Sequence, residues 1–173
     1  RPDPGVAIRP GINTPYVRNP DPADWARRFE TESREIFAER HEIVRRVGLR
    51  PGMAVADVGA GTGLFTRLFA EGVGPTGRVF AVDILPSFLD HIRSDATSRG
   101  FSWVETVRCP EDSVALPAES IDLAFVCDTY HHFEFPQKVD QYQIDKYQAF
   151  VARRIADGVK CAVNRLRPAQ FGF

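Results

Sequence analysis

The sequence predicts an α/β domain of the doubly wound type, in which helices pack on a parallel sheet. Residues 53–58 form an apolar run typical of a strand buried on both faces, and three alternating glycines and a segment of helical spacing follow it. A second strand pattern, residues 78–83, ends in a carboxylate about 20 residues after the glycines. Together these two observations predict a βαβ unit with a nucleotide site at its first turn.

Two segments precede the first strand. Residues 1–20 are rich in proline, glycine and asparagine, which predicts an extended arm, with a disordered terminus as the alternative. Asp21-Pro22-Ala23-Asp24 then provides a helix cap, a proline at the first helical position and an acid in the first turn. We expect this helix to end at Gly48 and to pack on the sheet through an apolar stripe of Trp25, Phe29, Ile36, Phe37, Ile43, Val44 and Val47.

The later elements continue the alternation of strands and helices. Leu85-Pro86 opens a second crossover helix that we expect to end at Gly100, and residues 103–107 predict a third strand. A fourth strand pattern, residues 121–128, also ends in a carboxylate. Ligands bind outside the carboxyl ends of the strands in open α/β sheets, so the residues that follow are expected beside a site.

These motifs resemble those of the class I S-adenosylmethionine-dependent methyltransferases. The resemblance rests on residues 55–63, on Asp83 and on residues 121–128, and it extends from about Trp25 to Lys138. Three further segments add to the match: Arg50-Pro51-Gly52, Leu116-Pro117 and Tyr130-His131-His132-Phe133. The resemblance implies a Rossmann-like sheet, S-adenosylmethionine as cofactor, and methyl transfer to a small molecule or lipid headgroup, as in a bacterial branch of the family.

The glycine loop favours a methyl donor over a dinucleotide. Its spacing is Gly-x-Gly-x-Gly, so the third glycine, Gly63, comes one place earlier than in a dinucleotide fold. Asp57 lies two residues before Gly59, where its carboxylate would repel a pyrophosphate but accept a hydrogen bond from the amino group of the donor's methionine end. A nicotinamide oxidoreductase is therefore the weakest of the alternatives.

The resemblance also assigns roles to individual residues. The residues expected to bind the donor are Asp57, Gly59, Ala60, Gly61, Gly63, Asp83, Ile84, Asp112 and Asp128. Asp83 is expected to hold the ribose hydroxyls. Asp112, with Glu111 as the alternative, is expected near the adenine amino group, although either acid would also suit a solvated loop. Segments ahead of the first strand often cover the site in this family, and the candidates for such a lid are Tyr16, Trp25 and Phe29.

The candidate catalytic residues are Tyr130, His131 and His132, which follow the fourth strand beside the expected position of the methyl group. Methyl transfer from a sulfonium is an in-line displacement, so the enzyme mainly aligns the reactants and excludes water. A base is needed only if the nucleophile arrives protonated, and a histidine suits that role, with His131 ahead of His132. The alternative is that one histidine caps the next helix and the other packs against it.

Composition limits the classes of partner. The chain has 173 residues, 43% of them hydrophobic, and a net charge of −1, which fits one core and gives no bias toward nucleic acid. No apolar run reaches the length of a membrane span. Cys109, Cys127 and Cys161 lack disulfide or metal-site spacing, so no metal is expected. A cytoplasmic location is expected, with export after removal of a leader as the alternative because the sequence starts at Arg1.

The sequence departs from the resembled family after Lys138. Instead of a crossover helix and further strands, residues 139–168 carry apolar residues three and four apart, which predicts one long amphipathic helix. The cofactor half, residues 49–138, would then be complete, while the sheet would lack its usual last strands. The fourth strand would be an uncovered edge, which favours a homo-oligomer unless the helix covers it.

Two functions of different class follow for a domain of residues 21–173. The first is S-adenosylmethionine-dependent methyl transfer to a small molecule or lipid headgroup. The alternative is a non-catalytic module that binds S-adenosylmethionine or a partner, and that retained the glycine loop but lost the wall of the acceptor site. Turnover, rather than cofactor binding, separates these two functions.

Overall fold

A computed structural model describes residues 6–117, 119–129 and 132–135, together with the backbone of residues 149–152. The helices in these ranges are α1 (Thr14–Arg18), α2 (Pro22–Phe29), α3 (Glu35–Ala38), α4 (Arg40–Val47), α5 (Leu64–Val73) and α6 (Pro86–Ser98). The strands are β1 (Ala54–Val58), β2 (Arg78–Asp83), β3 (Val104–Arg108), β4 (Leu123–Cys127) and β5 (Ala149–Ala152). No helix in these ranges is long and apolar enough to span a bilayer.

The strands form one parallel sheet with the order β3-β2-β1-β4-β5. Parallel neighbours require crossover connections, and α5 and α6 provide the first two. The chain moves outward from β1 to β3 and then returns to the other side of β1 to form β4. The carboxyl ends of β1 and β4 therefore flank the topological switch point at which open α/β sheets bind ligands. The predicted doubly wound α/β fold is confirmed.

The core lies on both faces of the sheet. On one face, Phe125 of β4 packs between Phe65 and Phe69 of α5, with ring centroids 4.8 and 4.9 Å away. Ile43 and Val47 of α4 complete this side. The opposite face is covered by the β3–β4 connection through Val114, Leu116 and Ile121. These layers fix the direction of β1 and β4, which determines where their carboxyl ends lie.

Local signals placed most of the elements correctly. The four predicted strands are present, with their ends shifted by at most two residues. The Asp21 side chain caps α2 by accepting from the Ala23 N–H at 3.0 Å, and Gly48 ends α4 with a φ of 70°. Each signal acts within one turn of the chain, so tertiary contacts do not override it.

Two predictions for the N-terminal region are wrong. The apolar stripe is not one helix, because the chain turns at residues 30–34 between α2 and α3. The Arg34 N–H donates to the Thr31 carbonyl at 2.8 Å there, which closes a turn instead of continuing the helical bonds. The predicted arm is not extended throughout, because residues 14–18 form α1. Long-range bonds to residues 132–134 hold this segment, and no local pattern reveals them.

The predicted helix over residues 139–168 is wrong for residues 149–152, which form β5 parallel to β4. An unpaired edge of β4 would leave N–H and C=O groups without partners, and a four-residue apolar run fits a strand as well as a helix. The other residues of the predicted helix lie outside the described ranges. Because β4 has neighbours on both sides, it does not offer the free edge from which a homo-oligomer was expected. Oligomerisation stays a prediction without that support.

The aromatic contact between β4 and α5 gives a test of the core. Phe125→Ala should lower the free energy of unfolding by about 3–5 kcal/mol, because it leaves a cavity beside two phenyl rings. Val17→Ala, at a side chain that is 61% exposed, is the control and should change it by less than about 0.5 kcal/mol. Urea denaturation measures both values. Equal effects of the two substitutions would contradict this packing.

Candidate functional site

A cavity of about 350 Å³ opens at the carboxyl ends of β1, β2 and β4. Its walls are the glycine loop after β1, the ends of β2 and β4, the segment after β3, and residues from the region before β1. Residues 6–36 are termed the N-terminal cover, and those that line the cavity are Asn13, Tyr16, Phe29, Arg34 and Ile36. The volume and position are those of a small-molecule site in an open α/β fold.

The structure brings most of the predicted site residues together. Those that line the cavity are Asp57, Gly59, Ala60, Gly61, Asp83, Ile84, Asp128 and His132. Gly63 and Asp112 do not line it. Tyr130 and His131 lie outside the described residues. The binding and catalytic roles assigned to these residues stay predictions.

Gly59 and Gly61 are needed for different reasons. Gly59 has a φ of 73°, and a Cβ atom there would overlap the Thr129 side chain from the end of β4. Gly61 has a φ of 54°, and the nearest atom to an added Cβ would be the Gly59 carbonyl oxygen at 3.9 Å. Gly59 therefore allows the ends of β1 and β4 to pack closely, whereas Gly61 leaves open space on the cavity wall.

Gly63 serves packing instead of lining the site. A Cβ atom at this position would come within 2.8 Å of Cγ1 of Ile92 on α6. The residue is the N-cap of α5, so its small size lets the start of α5 approach α6. The prediction that Gly63 contacts the cofactor therefore has no support from its position.

Asp83 ties the glycine loop to the end of β2. Its Oδ2 accepts a hydrogen bond from the Gly61 N–H at 2.9 Å, and its Oδ1 accepts one from the Leu85 N–H at 2.9 Å. Burial raises the pKa of this carboxyl group, and the backbone N–H groups oppose that rise. The carboxylate is thus held in one orientation on the cavity wall.

Asp57 is a second buried carboxylate on the same wall. Its Oδ2 accepts a hydrogen bond from the Thr66 hydroxyl at 2.6 Å. Burial raises its pKa to about 7, and the negative charge of Asp83 adds to this rise, while the Thr66 bonds oppose it. A cation bound nearby would favour the ionised form of this carboxyl group.

The wall after β3 contains one of the two candidate acids. Glu111, the alternative, lines the cavity and Asp112 does not, so the prediction for Asp112 has no support from its position. Burial raises the pKa of Glu111, and the nearby carboxylates of Glu134 and Asp112 contribute. Cys109 also lines this wall, and burial raises the pKa of its thiol to about 12, so it stays protonated. The described residues contain no group of three or more side chains suited to hold a metal ion.

The apolar stripe before β1 divides into two parts. Ile43 and Val47 of α4 belong to the sheet core, as predicted. Trp25 instead packs with Leu85 and Phe88 beside the cavity, and its ring lies 4.5 Å from that of Tyr16 and 5.2 Å from that of Phe29. Because Tyr16 and Phe29 line the cavity, the first part of the stripe covers the site.

Several bonds fix the N-terminal cover to the rest of the domain. The Gly11 N–H donates to Oε1 of Glu134 at 2.9 Å, and the Ile8 N–H donates to the Glu134 carbonyl at 2.9 Å. Arg34 forms an ion pair with Asp128 at 3.2 Å, at the end of β4. A less exposed ion pair joins Glu30 to Arg67 of α5 at 2.7 Å. The cover is therefore attached both to the residues that follow β4 and to α5.

Sequence reasoning did not single out Asn13 and Arg34, which line the cavity, or Thr66, which supports Asp57. Thr66 is a polar residue within the apolar pattern of α5, and that interruption was a usable signal. Arg34 meets Asp128 across 94 residues of sequence, so no local pattern indicates the contact. Asn13 reaches the His132 carbonyl across 119 residues, with the same consequence.

An open α/β fold with a glycine loop, two buried carboxylates at the switch point and a cover over the cavity defines a nucleoside-cofactor domain. A family model described as "Methyltransferase domain" matches residues 55–143. The chain belongs to this family of methyltransferase domains, which confirms the resemblance found in the motifs.

Known relatives differ in what they methylate. A ubiquinone/menaquinone biosynthesis C-methyltransferase from Bordetella parapertussis is 32% identical over 102 residues, which are 56% of this chain and 39% of that protein. A protein-L-isoaspartate O-methyltransferase from Aeropyrum pernix is 40% identical over 68 residues, which are 39% of this chain and 26% of that protein. The chain thus spans well under half the length of these curated relatives.

A solved structure agrees with the fold. The crystal structure of a SAM dependent methyltransferase from Aquifex aeolicus superposes with a TM-score of 0.60 and 27% sequence identity. The match covers 68% of this chain and 62% of that one.

The raised pKa of Asp57 predicts a pH dependence of stability. The folded protein keeps this proton at pH values where the unfolded chain has lost it, so the free energy of unfolding should fall as pH rises from the ordinary aspartate range toward pH 7. Asp57→Asn cannot ionise and should flatten this part of the profile. Asp90→Asn, at an exposed side chain of α6, is the matched control. Profiles of the two variants that run parallel would contradict the assignment.

Proposed function

We propose that this chain is the S-adenosylmethionine-binding domain of a methyltransferase that acts on a small molecule or lipid headgroup. The observation that carries the proposal is the pair of buried carboxylates, Asp57 and Asp83, on either side of an open glycine loop. Membership of the methyltransferase domain family supports it independently.

The cavity residues fit this cofactor group by group. Asp83 would accept the ribose hydroxyls, because its backbone partners fix both oxygens at the cavity wall. Asp57 would accept from the amino group of the methionine end, whose positive charge offsets the cost of ionising a buried carboxyl. Glu111, which lines the cavity, would meet the adenine amino group. Gly61 leaves room for the ligand to lie against the backbone.

Once bound, the cofactor supplies a methyl group on a sulfonium, which is electrophilic without further activation. The chain's own residues would then align an acceptor with it and exclude water. Phe29 and Ile36 of the N-terminal cover and Phe133 after β4 provide apolar walls for that purpose. No proton transfer is needed to activate the donor, so the protein's chemical work is confined to the acceptor.

The cover supports a small acceptor. It is bonded to the loop after β4 through Glu134 and to the end of β4 through the Arg34–Asp128 pair, so it is attached at two points beside the cavity. A folded protein surface or an RNA helix would have to displace these contacts to reach the cavity. A net charge of −1 also gives no general attraction for RNA. A lipid headgroup that enters the cavity end first would also be small enough to act as the acceptor.

Ligands that differ only in the amino acid end test the two carboxylates separately. Asp83→Ala should lower the affinity for both S-adenosylhomocysteine and 5′-methylthioadenosine by at least about tenfold, because both ligands carry the ribose. Asp57→Asn should lower the affinity for S-adenosylhomocysteine by a similar factor. The affinity for 5′-methylthioadenosine, which lacks the amino group, should stay nearly unchanged. Isothermal calorimetry measures the four affinities. Unchanged S-adenosylhomocysteine affinity in a folded Asp83→Ala protein would refute the ribose assignment.

A substitution at Gly100 is a matched control for the same substitution in the glycine loop. Gly61 and Gly100 both have positive φ, 54° and 73°, and neither has an atom within 3.5 Å of an added Cβ. Gly61→Val and Gly100→Val should therefore cost similar backbone strain, of about 1–3 kcal/mol, but only the first should abolish S-adenosylhomocysteine binding. Calorimetry together with thermal melting separates the two effects. If Gly61→Val still binds normally, the loop is not the cofactor site.

A further inference from the structure

The solvent side of the N-terminal cover combines apolar and cationic side chains. Among the described residues, the exposed large apolar side chains are Val6, Ile8 and Val17, which are 62%, 53% and 61% exposed. Arg9 and Arg18 follow two of them directly and are also exposed. Every other exposed residue from 6 to 20 is a proline or a glycine. Residues 6–20, termed the apolar-basic segment, therefore present neither acidic nor uncharged polar side chains in exposed positions.

The protein does not neutralise the two arginines of this segment. Neither Arg9 nor Arg18 forms an ion pair with another described residue, and the apolar-basic segment contains no aspartate or glutamate. The next acids in the sequence, Asp21 and Asp24, belong to the start of α2. The first of these caps the helix and the second forms two ion pairs within it. The segment therefore carries a local positive charge, although the whole chain has a net charge of −1.

The apolar-basic segment lies directly beside the cavity. The Ile8 N–H donates to the Glu134 carbonyl and the Gly11 N–H to Oε1 of Glu134, both at 2.9 Å, in the loop after β4. Asn13 and Tyr16 of the same segment line the cavity. One side of the segment thus faces the cavity, and the other presents apolar and cationic side chains to solvent.

We infer that the apolar-basic segment docks on the surface of an anionic bilayer, and the consequence for the methyl acceptor rests on the proposed function. Aliphatic side chains gain by moving from water into the boundary between headgroups and acyl chains, while guanidinium groups stay with the lipid phosphates. Proline and glycine between them have no polar side chain to desolvate. Docking places the cavity against the bilayer, where the headgroup of a lipid reaches it without leaving the membrane.

The mixture of side chains favours a bilayer over other anionic partners. A nucleic acid offers phosphates to Arg9 and Arg18, but its binding is mainly electrostatic and leaves the aliphatic side chains without a partner. A bilayer interface accepts both kinds of side chain at once. Because the segment has only a few of each kind, we expect reversible binding that requires both.

Flotation of the full chain with vesicles tests the electrostatic part of the inference. The protein should bind vesicles of phosphatidylcholine with phosphatidylglycerol at least about fivefold more strongly than vesicles of phosphatidylcholine alone. Arg9→Gln with Arg18→Gln should lower the affinity for the anionic vesicles by about tenfold or more, because each basic residue near such a surface contributes about fivefold.

Two other arginines provide the matched control. Arg50 and Arg78 are exposed, form no ion pair with another described residue, and lie before β1 and at the start of β2, away from the cavity. Arg50→Gln with Arg78→Gln removes the same charge and should leave vesicle binding nearly unchanged. An equal loss in the two double variants would overturn the inference, because the attraction would then come from the charge of the whole chain.

The aliphatic side chains distinguish a bilayer from any other polyanion. Ile8→Ser with Val17→Ser should lower the affinity for the anionic vesicles by about tenfold. Its melting temperature and its affinity for S-adenosylhomocysteine should stay those of the wild type, because neither side chain lines the cavity. Unchanged vesicle binding in this variant, or no preference of the wild type for anionic vesicles, would overturn the inference. Failure of the wild type to bind S-adenosylhomocysteine would overturn the proposed function instead, since flotation is measured without that ligand.

Discussion

The two hydrogen bonds that Asp83 accepts from Gly61 and Leu85 are the constraint on which the site depends. They join the turn after β1 to the turn after β2, so neither turn can move without leaving a buried carboxylate short of a partner. Bonds to a charged group contribute about 1.5–3 kcal/mol each, and an unsatisfied one costs a similar amount. This constraint keeps Gly61 in its left-handed conformation and keeps the cavity open on that side.

The same constraint brings two buried carboxyl groups close together, and a cationic ligand would stabilise their ionised forms. Fixing Asp83 near Asp57 places two buried carboxyl groups on one cavity wall, and the pKa of each is raised, mainly by burial. An ammonium group beside Asp57 would lower its pKa by favouring the ionised carboxylate. Binding of a cationic ligand there should therefore be coupled to release of a proton.

How much of this the sequence could predict depends on the range of each interaction. The glycine loop, Asp57 and Asp83 were found because strand, turn and helix signals act within a few residues. The break between α2 and α3 was missed because the apolar residues keep helical spacing across a turn that is closed by the bond from the Arg34 N–H to the Thr31 carbonyl. Contacts such as Arg34 with Asp128 join parts of the chain far apart in sequence, so periodicity carries no information about them. β5 was missed because a short apolar run fits both a strand and a helix.

The most direct test of the central claim is a crystal structure of the full chain grown with S-adenosylhomocysteine. The account predicts ribose oxygens within hydrogen-bond distance of the Asp83 carboxylate and the amino group beside Asp57, with the Gly61 backbone lying against the ligand. It also predicts that the Gly61 and Leu85 bonds to Asp83 persist in the complex. Ligand density at any other place, or an Asp83 side chain turned away from the ribose, would contradict the account.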